Sequence, residues 1–180
     1  RVFQDPNMGT ASQMNIEENM MLATRRTKKK TLKWGFNKED REVCVNKLKS
    51  LNLGLENRLE QKVGLLSGGQ RQAVTLLMAT IQRPDILLLD EHTAALDPKT
   101  AKVVLELTSK IVEEEKITTL MITHNMRDAI KYGNRLIMLN EGRVIFDISG
   151  EEKKNLTVQE LLEKFEKDDD IQLDDKMILG

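Results

Sequence analysis

The chain is 180 residues long, with 39 % apolar and 32 % charged side chains, which is room for one domain with a real core under a heavily charged surface. Its formal net charge of -1 gives no global field for nucleic acid or an anionic membrane, so no nucleic-acid partner is expected. No apolar run approaches the roughly 18 residues of a membrane span, and the single cysteine, Cys44, excludes an internal disulfide.

The opening Arg1-Val2-Phe3-Gln4-Asp5-Pro6 has no initiator Met and no secretory pattern. It reads as the end of a strand, and the chain is expected to be a fragment. A loop follows to about Ser12. Ile16, Met20 and Ala23 recur at helical spacing, which predicts a helix over 15–24. A basic stretch, Arg25, Arg26, Lys28, Lys29, Lys30 and Lys33, reads as solvated surface, and Trp34-Gly35-Phe36 breaks the pattern. Asn37 is the expected N-cap of a second helix running to about Leu51, with Val43, the Lys47 stem, Leu48 and Leu51 on one face and Gly54 at its end. Cys44 is expected as a small apolar residue on a helix face. Residues 10–60 are therefore mainly helical.

From Ser67 the character changes. A helix is expected over 69–82, stopped by Arg83-Pro84-Asp85. Ile86-Leu87-Leu88-Leu89 is apolar on both faces, as in the middle strand of a parallel sheet. Asp97-Pro98 opens a helix to about Glu115, with Pro98 in the first helical position. Residues 117–123 make a second strand, and the strand–helix–strand unit is expected to cross over right-handed. Arg135–Leu139 and Arg143–Ile148 flank Asn140-Glu141-Gly142, a hairpin signal. Thr157 and Glu160 form a capping box for a last helix to about Lys167, before an acidic tail. The fold class is α/β.

Asp90-Glu91 places two carboxylates at the C-terminal end of a buried strand, where open α/β sheets put their ligand sites. Strand alternation allows one to hold a Mg²⁺ shell while the other faces a water; an ordinary acidic strand end is the plainer alternative. Ser67-Gly68-Gly69-Gln70 precedes a helix and exposes backbone N–H groups at its positive end, a phosphate-binding surface in chemical terms. A Ser-capped helix after a flexible turn has the same residues. His124, at the end of the second strand, can hydrogen-bond a phosphate or serve structure alone. Gln4 by itself says little.

Order and spacing join these pieces. The Ser67 turn lies 23 residues before Asp90, and His124 lies 33 after Glu91. The set closely resembles the ATP-binding cassette (ABC) family over residues 1–150. Val2-Phe3-Gln4-Asp5-Pro6 is similar to its Q-loop and Leu66-Ser67-Gly68-Gly69-Gln70-Arg71-Gln72 to its signature. Ile86-Leu87-Leu88-Leu89-Asp90-Glu91 is similar to its Walker B strand, Ala95-Leu96-Asp97 to its D-loop, and Thr123-His124 to its switch histidine.

The resemblance implies a P-loop NTPase fold with a helical subdomain and an ATPase working with ATP and Mg²⁺. Asp90 would hold Mg²⁺, with Gln4 linking the metal site to the membrane part. Glu91 would be the general base or water-positioning group, and His124 would sense the γ-phosphate. Ser67, Gly68, Gly69 and Gln70 would bind ATP held by the opposite subunit, and Asp97 would act across the same interface. Hydrolysis would therefore need a dimer, homo- or heteromeric. The implied division is 1–9 for the Q-loop, 10–66 for the helical subdomain, 67–150 for the ATPase core, and 151–180 for the C-terminal helix and tail. The 90–100 stretch resembles importer ATPases that work with a separate substrate-binding protein, some for amino-acid-like solutes. Residues 10–60 would then contact a membrane permease, with the protein peripheral on the cytoplasmic face. A non-transport ATPase of the same family and a non-catalytic interaction module are the alternatives. The short 62-residue gap from Gln4 to Leu66 carries no heptads for a coiled coil, and the retained Glu91 and His124 speak against a mere module.

Two departures stand in the Walker B stretch: His92 where the family usually has Pro, and Ala94 where it usually has Ser. A larger one is that no glycine is followed by lysine, so the P-loop lysine motif is missing. The loop is expected N-terminal to Arg1, and the 180 residues alone are expected to bind ATP very weakly and to be inactive. Calorimetric titration of the 180-residue chain checks this; micromolar ATP affinity would refute it.

Overall fold

Asn15 caps the first helix in the computed structural model, which describes residues 1–26 and 38–165. The expected Asn37 cap, the Trp34-Gly35-Phe36 break, the four lysines of the basic stretch and the acidic tail from Asp168 lie outside those residues. The chain divides into two units, Arg1–Ile122 and Thr123–Gly180.

In the first unit, α1 (Ile16–Arg25) begins with a reciprocal capping box. The Asn15 side chain accepts from the Glu18 N–H at 2.7 Å, and the Glu18 carboxylate accepts from the Asn15 N–H at 2.8 Å. Ile16, Met20 and Ala23 are buried, as their spacing predicts. Helix α2 (Lys38–Lys49) buries Cys44 and Leu48, an i,i+4 pair. The expected face is thus corrected: Val43 is 49 % exposed, and Leu51 enters the core from beyond the helix. Cys44 and Leu48 set the buried face, which leaves Val43 off it, and the left-handed turn at Asn52 (φ 54°) follows Leu51 beyond the helix end. Lys47 spends its ammonium on an ion pair with Glu115 at 2.5 Å.

Helix α3 (Gly68–Thr80) is buried over most of its circumference. Val74, Leu76 and Leu77 join the core with α1 and α2. Its buried hydroxyls are served locally and Gln72 ties in the first residues, while Gln72 Oε1 is buried without a hydrogen-bond partner among the described residues. Thr75 and Thr80 donate to the carbonyls of Arg71 and Leu76, and the Gln72 amide donates to the Phe3 carbonyl at 3.2 Å.

Strands β1 (Ile86–Asp90) and β2 (Thr118–Ile122) pair in parallel, with Leu88 opposite Leu120 and Asp90 opposite Ile122. Val2 adds a bridge on β1, its N–H donating to Leu88 O at 2.8 Å and its carbonyl accepting from Asp90 N–H at 3.0 Å. Helix α4 (Pro98–Glu115) joins the strands, capped by Asp97 with Pro98 first, as expected. The two-faced burial expected for β1 does not hold. Leu87 and Leu89 are 1 % exposed, but Ile86, Leu120 and Ile122 are each 53 % exposed. Among the described residues the core forms on one face of this sheet, so the strand alternates although its residues do not.

The second unit is a hairpin with short helices. Strands β3 (Arg135–Asn140) and β4 (Arg143–Ser149) are antiparallel. Their turn residues Glu141 and Gly142 both have positive φ, 45° and 79°, the conformation that matches strand twist in a two-residue hairpin. Arg135 grips Asp147 with two hydrogen bonds of 2.8 and 2.5 Å. Helices α5 (Met126–Lys131) and α6 (Gly150–Asn155) are six residues each, too short for an apolar period to announce them. Residues 158–165 are helical behind the expected box, with the Thr157 N–H on the Glu160 carboxylate at 2.8 Å and the Glu160 N–H on Thr157 Oγ1 at 3.2 Å.

His92 is 2 % exposed and contacts α4. The Thr108 hydroxyl proton goes to Val104 O at 2.8 Å, so the imidazole must donate its Nε2–H to Thr108 Oγ1, 3.1 Å away. Burial lowers the His92 pKa from 6.5 to about 4. Below the unfolded value the unfolded chain takes up a proton that the folded chain refuses until about pH 4. This contribution to stability is complete above pH 6.5 and is lost as pH falls through that window, by about 3 kcal/mol at most. Urea unfolding at pH 7 and pH 4.5 should therefore show a drop that His92→Leu largely removes; an undiminished drop in that variant places the acid sensitivity elsewhere.

Candidate active site

Two helix N-termini come together here. At the first, the Ser67 Oγ accepts from the Gln70 N–H at 3.3 Å, and the Gln70 side chain accepts from the Ser67 N–H at 3.2 Å. Gln70 is thus folded back onto its own cap. Leu66 anchors the turn in the core, while Ser67 and Gly68 are exposed. Gly69 is buried because the first turn of α4 lies against it: a Cβ on Gly69 would sit 2.1 Å from Thr100 Cγ2. A Cβ on Gly68 would meet Leu96 Cδ2 at 3.1 Å. A side chain at Gly69 would therefore force the Thr100 methyl to move, whatever the glycine does for a ligand.

At the second N-terminus the exposed Asp97 carboxylate accepts from the Thr100 N–H at 3.1 Å. The Thr100 hydroxyl, first, and its backbone N–H hold the Asp97 carboxyl below the usual carboxylate range. The Thr100 methyl lies toward Gly69. The Ser67 turn and the Asp97 turn are in this way one surface, with the positive ends of a 13-residue and an 18-residue helix side by side.

The carboxylate pair sits at the end of β1. Asp90 is the last strand residue, and its carboxylate, 32 % exposed, pairs with the Arg1 guanidinium. Arg1 also lies over the Phe3 ring, 4.9 Å from its centre. Glu91 leaves the sheet: its N–H donates to Ile122 O at 3.0 Å, and its backbone turns left-handed with φ 44°. The Asp90–Glu91 step is therefore a sharp turn, and strand alternation ends at Asp90. A left-handed non-glycine residue costs about 1–2 kcal/mol and is concentrated at functional sites.

Gln4 is exposed, between the Val2 bridge and the Pro6–Gly9 turn that Asp5 caps. Arg71, one turn into α3, binds Asn7 in that turn and the carbonyls of Val63, Gly64 and Leu66 at 3.3, 2.9 and 3.3 Å. It thus fastens the segment after Gln4 to the stretch leading into Ser67. Sequence reasoning missed Arg71 and Thr100 as site supports. Arg71 carries a faint signal, a five-donor side chain one turn past a glycine turn; Thr100 carries none. His124 belongs to the second unit, exposed near its start, next to Asn125, whose N–H donates to Thr123 Oγ1 at 3.1 Å.

No cluster of three or more His, Cys, Asp or Glu occurs among the described residues. Mg²⁺ needs none, because it takes one or two carboxylates and fills its octahedron with phosphate oxygens and water. Asp90 fits that use, being part-exposed at a strand end and already facing a cation, the Arg1 guanidinium.

The ABC transporter family profile matches residues 1–94. The tyrosine transport ATP-binding protein of Clostridioides difficile (strain R20291) is 51 % identical over 92 % of this chain and 66 % of its own length. The methionine import ATP-binding protein of Streptococcus pneumoniae (strain ATCC BAA-255 / R6) is 36 % identical over 80 % of this chain, which spans 38 % of that protein. Among solved structures, a dimeric ATP-binding cassette in a post-hydrolysis state bound to ADP and Pi aligns with TM-score 0.65 and 31 % identity, over 82 % of this chain and 61 % of that one. An inward-facing metal-chelate-type ABC transporter aligns with TM-score 0.72 and 25 % identity, over 92 % of this chain and 64 % of that one.

The Gly69–Thr100 contact gives a direct check. Gly69→Ala should lower stability by about 1–3 kcal/mol through overpacking. Adding Thr100→Ser, which removes the methyl but keeps the hydroxyl, should restore most of the loss in urea denaturation. A Gly69→Ala protein as stable as the parent would show that the contact imposes nothing.

Proposed function

The chain belongs to the ABC transporter family of ATP-binding proteins, and from that premise we propose that it is the ATP-binding and ATP-hydrolysing subunit of an importer. The observation that carries this reading is the exposed Ser67-Gly68 turn, backed by two helix N-termini and set beside Asp97. A turn sealed in the core could not reach a second subunit; this one can. In the proposed dimer, Ser67, Gly68, Gly69 and Gln70 of one subunit meet the γ-phosphate of ATP held by the other, and Asp97 acts across the same interface. The α3 end, with its turn exposed at Ser67 and Gly68, suits a negatively charged group.

Asp90, assisted by Gln4, holds Mg²⁺, which when bound neutralises phosphate charge. Glu91 orients a water and accepts its proton as the water oxygen bonds to the γ-phosphorus and the bond to the β,γ-bridging oxygen breaks, leaving ADP and phosphate. In this reading the two acids have separate tasks, Asp90 at the strand end and Glu91 on the left-handed turn after it. His124 hydrogen-bonds the γ-phosphate.

The solute class we assign is an amino acid, supported by the identity to the tyrosine transport protein. Residues 10–60 contact the permease, an extracytoplasmic binding protein delivers the solute, and the subunit is peripheral on the cytoplasmic membrane face. No helix among the described residues is long and apolar enough to cross a membrane.

In the full-length protein, Glu91→Gln should bind ATP like the parent and form a stable ATP-bound dimer in size-exclusion chromatography. Its phosphate release should fall by about 10²-fold or more, the usual loss of a positioned base. Release close to the parental rate would remove Glu91 from this role.

A further inference from the structure

Lys153 is 3 % exposed, yet among the described residues its ammonium has only backbone carbonyls as partners: Ile130 O and, at 3.0 Å, Tyr132 O. Those carbonyls belong to the last turn of α5 and the residue that follows it. Helix C-termini leave their last carbonyls without intrahelical donors, and the negative end of the dipole favours a cation there. Burial pushes the Lys153 pKa down, so two carbonyls and a helix end must stand in for the lost water.

The need for such an anchor is visible in α5 itself. Six residues are too few to hold a helix in water, and α5 fully buries none of them. It is held by its ends. At the start, the Asn125 side chain accepts from the Arg127 and Asp128 N–H groups at 3.0 and 3.2 Å. At the other end stands Lys153. Its own helix, α6, follows β4 directly and is tied to the hairpin by the Gly150 N–H on Asn134 O at 3.3 Å. A mechanical line therefore runs from the hairpin through Lys153 and α5 to Asn125, the neighbour of His124.

We infer that Lys153 is a positioning residue for His124, fixing the short helix that fixes the histidine's segment; this rests on the γ-phosphate role proposed for His124. The lysine never touches nucleotide. It sets how often His124 is in place.

The test uses the full-length protein with Lys153→Met, which keeps the apolar stem and removes the donors. Hydrogen exchange should quicken about tenfold or more at the Ala129 and Tyr132 amides, which report α5, with α3 unchanged. The kcat for ATP hydrolysis should fall about tenfold with KM for ATP nearly constant, the size of one lost charge-assisted hydrogen bond. In a His124→Ala background, Lys153→Met should cost nothing further. Unchanged α5 exchange, or a kcat loss that adds fully to that of His124→Ala, overturns the inference. If the parent hydrolyses no ATP at all, the functional reading fails by itself, and the exchange result still decides whether Lys153 holds α5.

Discussion

From Gly69 to Thr80 helix α3 is surrounded by α1, α2 and α4, and this burial sets the positions of nearly everything chemical in the first unit. A helix buried on most sides cannot shift along its axis without dragging several partners, because cores are close-packed. Its N-terminus is therefore a fixed point, and the Ser67-Gly68 turn emerges from the core at that point. Gln72 ties the segment before Gln4 to the same helix, and Arg71 ties the segment after it. The exposed Ser67-Gly68 turn is thus held by apolar contacts a turn or more away from it.

The second constraint is steric. Glycine at position 69 lets the first turn of α4 come closer than any side chain would permit. That approach brings the Asp97 cap beside the Ser67 cap, two acceptor-lined turns with converging N–H groups. Electrostatics at such a place comes from geometry rather than net charge, which suits a chain whose formal charge is only -1. Placing Glu91 in a left-handed turn adds local strain, which the N–H bond to Ile122 and the sheet behind it hold in place.

The two units secure their functional segments by different means. In the first, an apolar cluster does it, and polar groups such as His92 with Thr108 fit inside. In the second, the hairpin supplies the frame, and α5 depends on polar contacts at its two ends. Segments held this way open more readily than core helices.

Local rules reached a long way into this protein. The Asp97-Pro98 start, the Thr157–Glu160 box and the turn after Asn140 are decided within a few residues and are found as expected, while Asn15, expected inside the first helix, caps it instead. The order and spacing of the motif residues are likewise read along the chain, because folding leaves them unchanged. What needed the tertiary structure was anything that depends on a distant neighbour. The face of α2 turned on which neighbours it packs against, and the one-sided burial of β1 turned on what lies against the sheet. The solvation of Lys153 and His92 depended on carbonyl and hydroxyl partners 16 to 23 residues away. Gly69 is the sharpest case: a glycine at the start of a helix can be read from the sequence, but the close contact that crowds it is with Thr100, thirty-one residues on, and a contact between distant positions is set by packing in space.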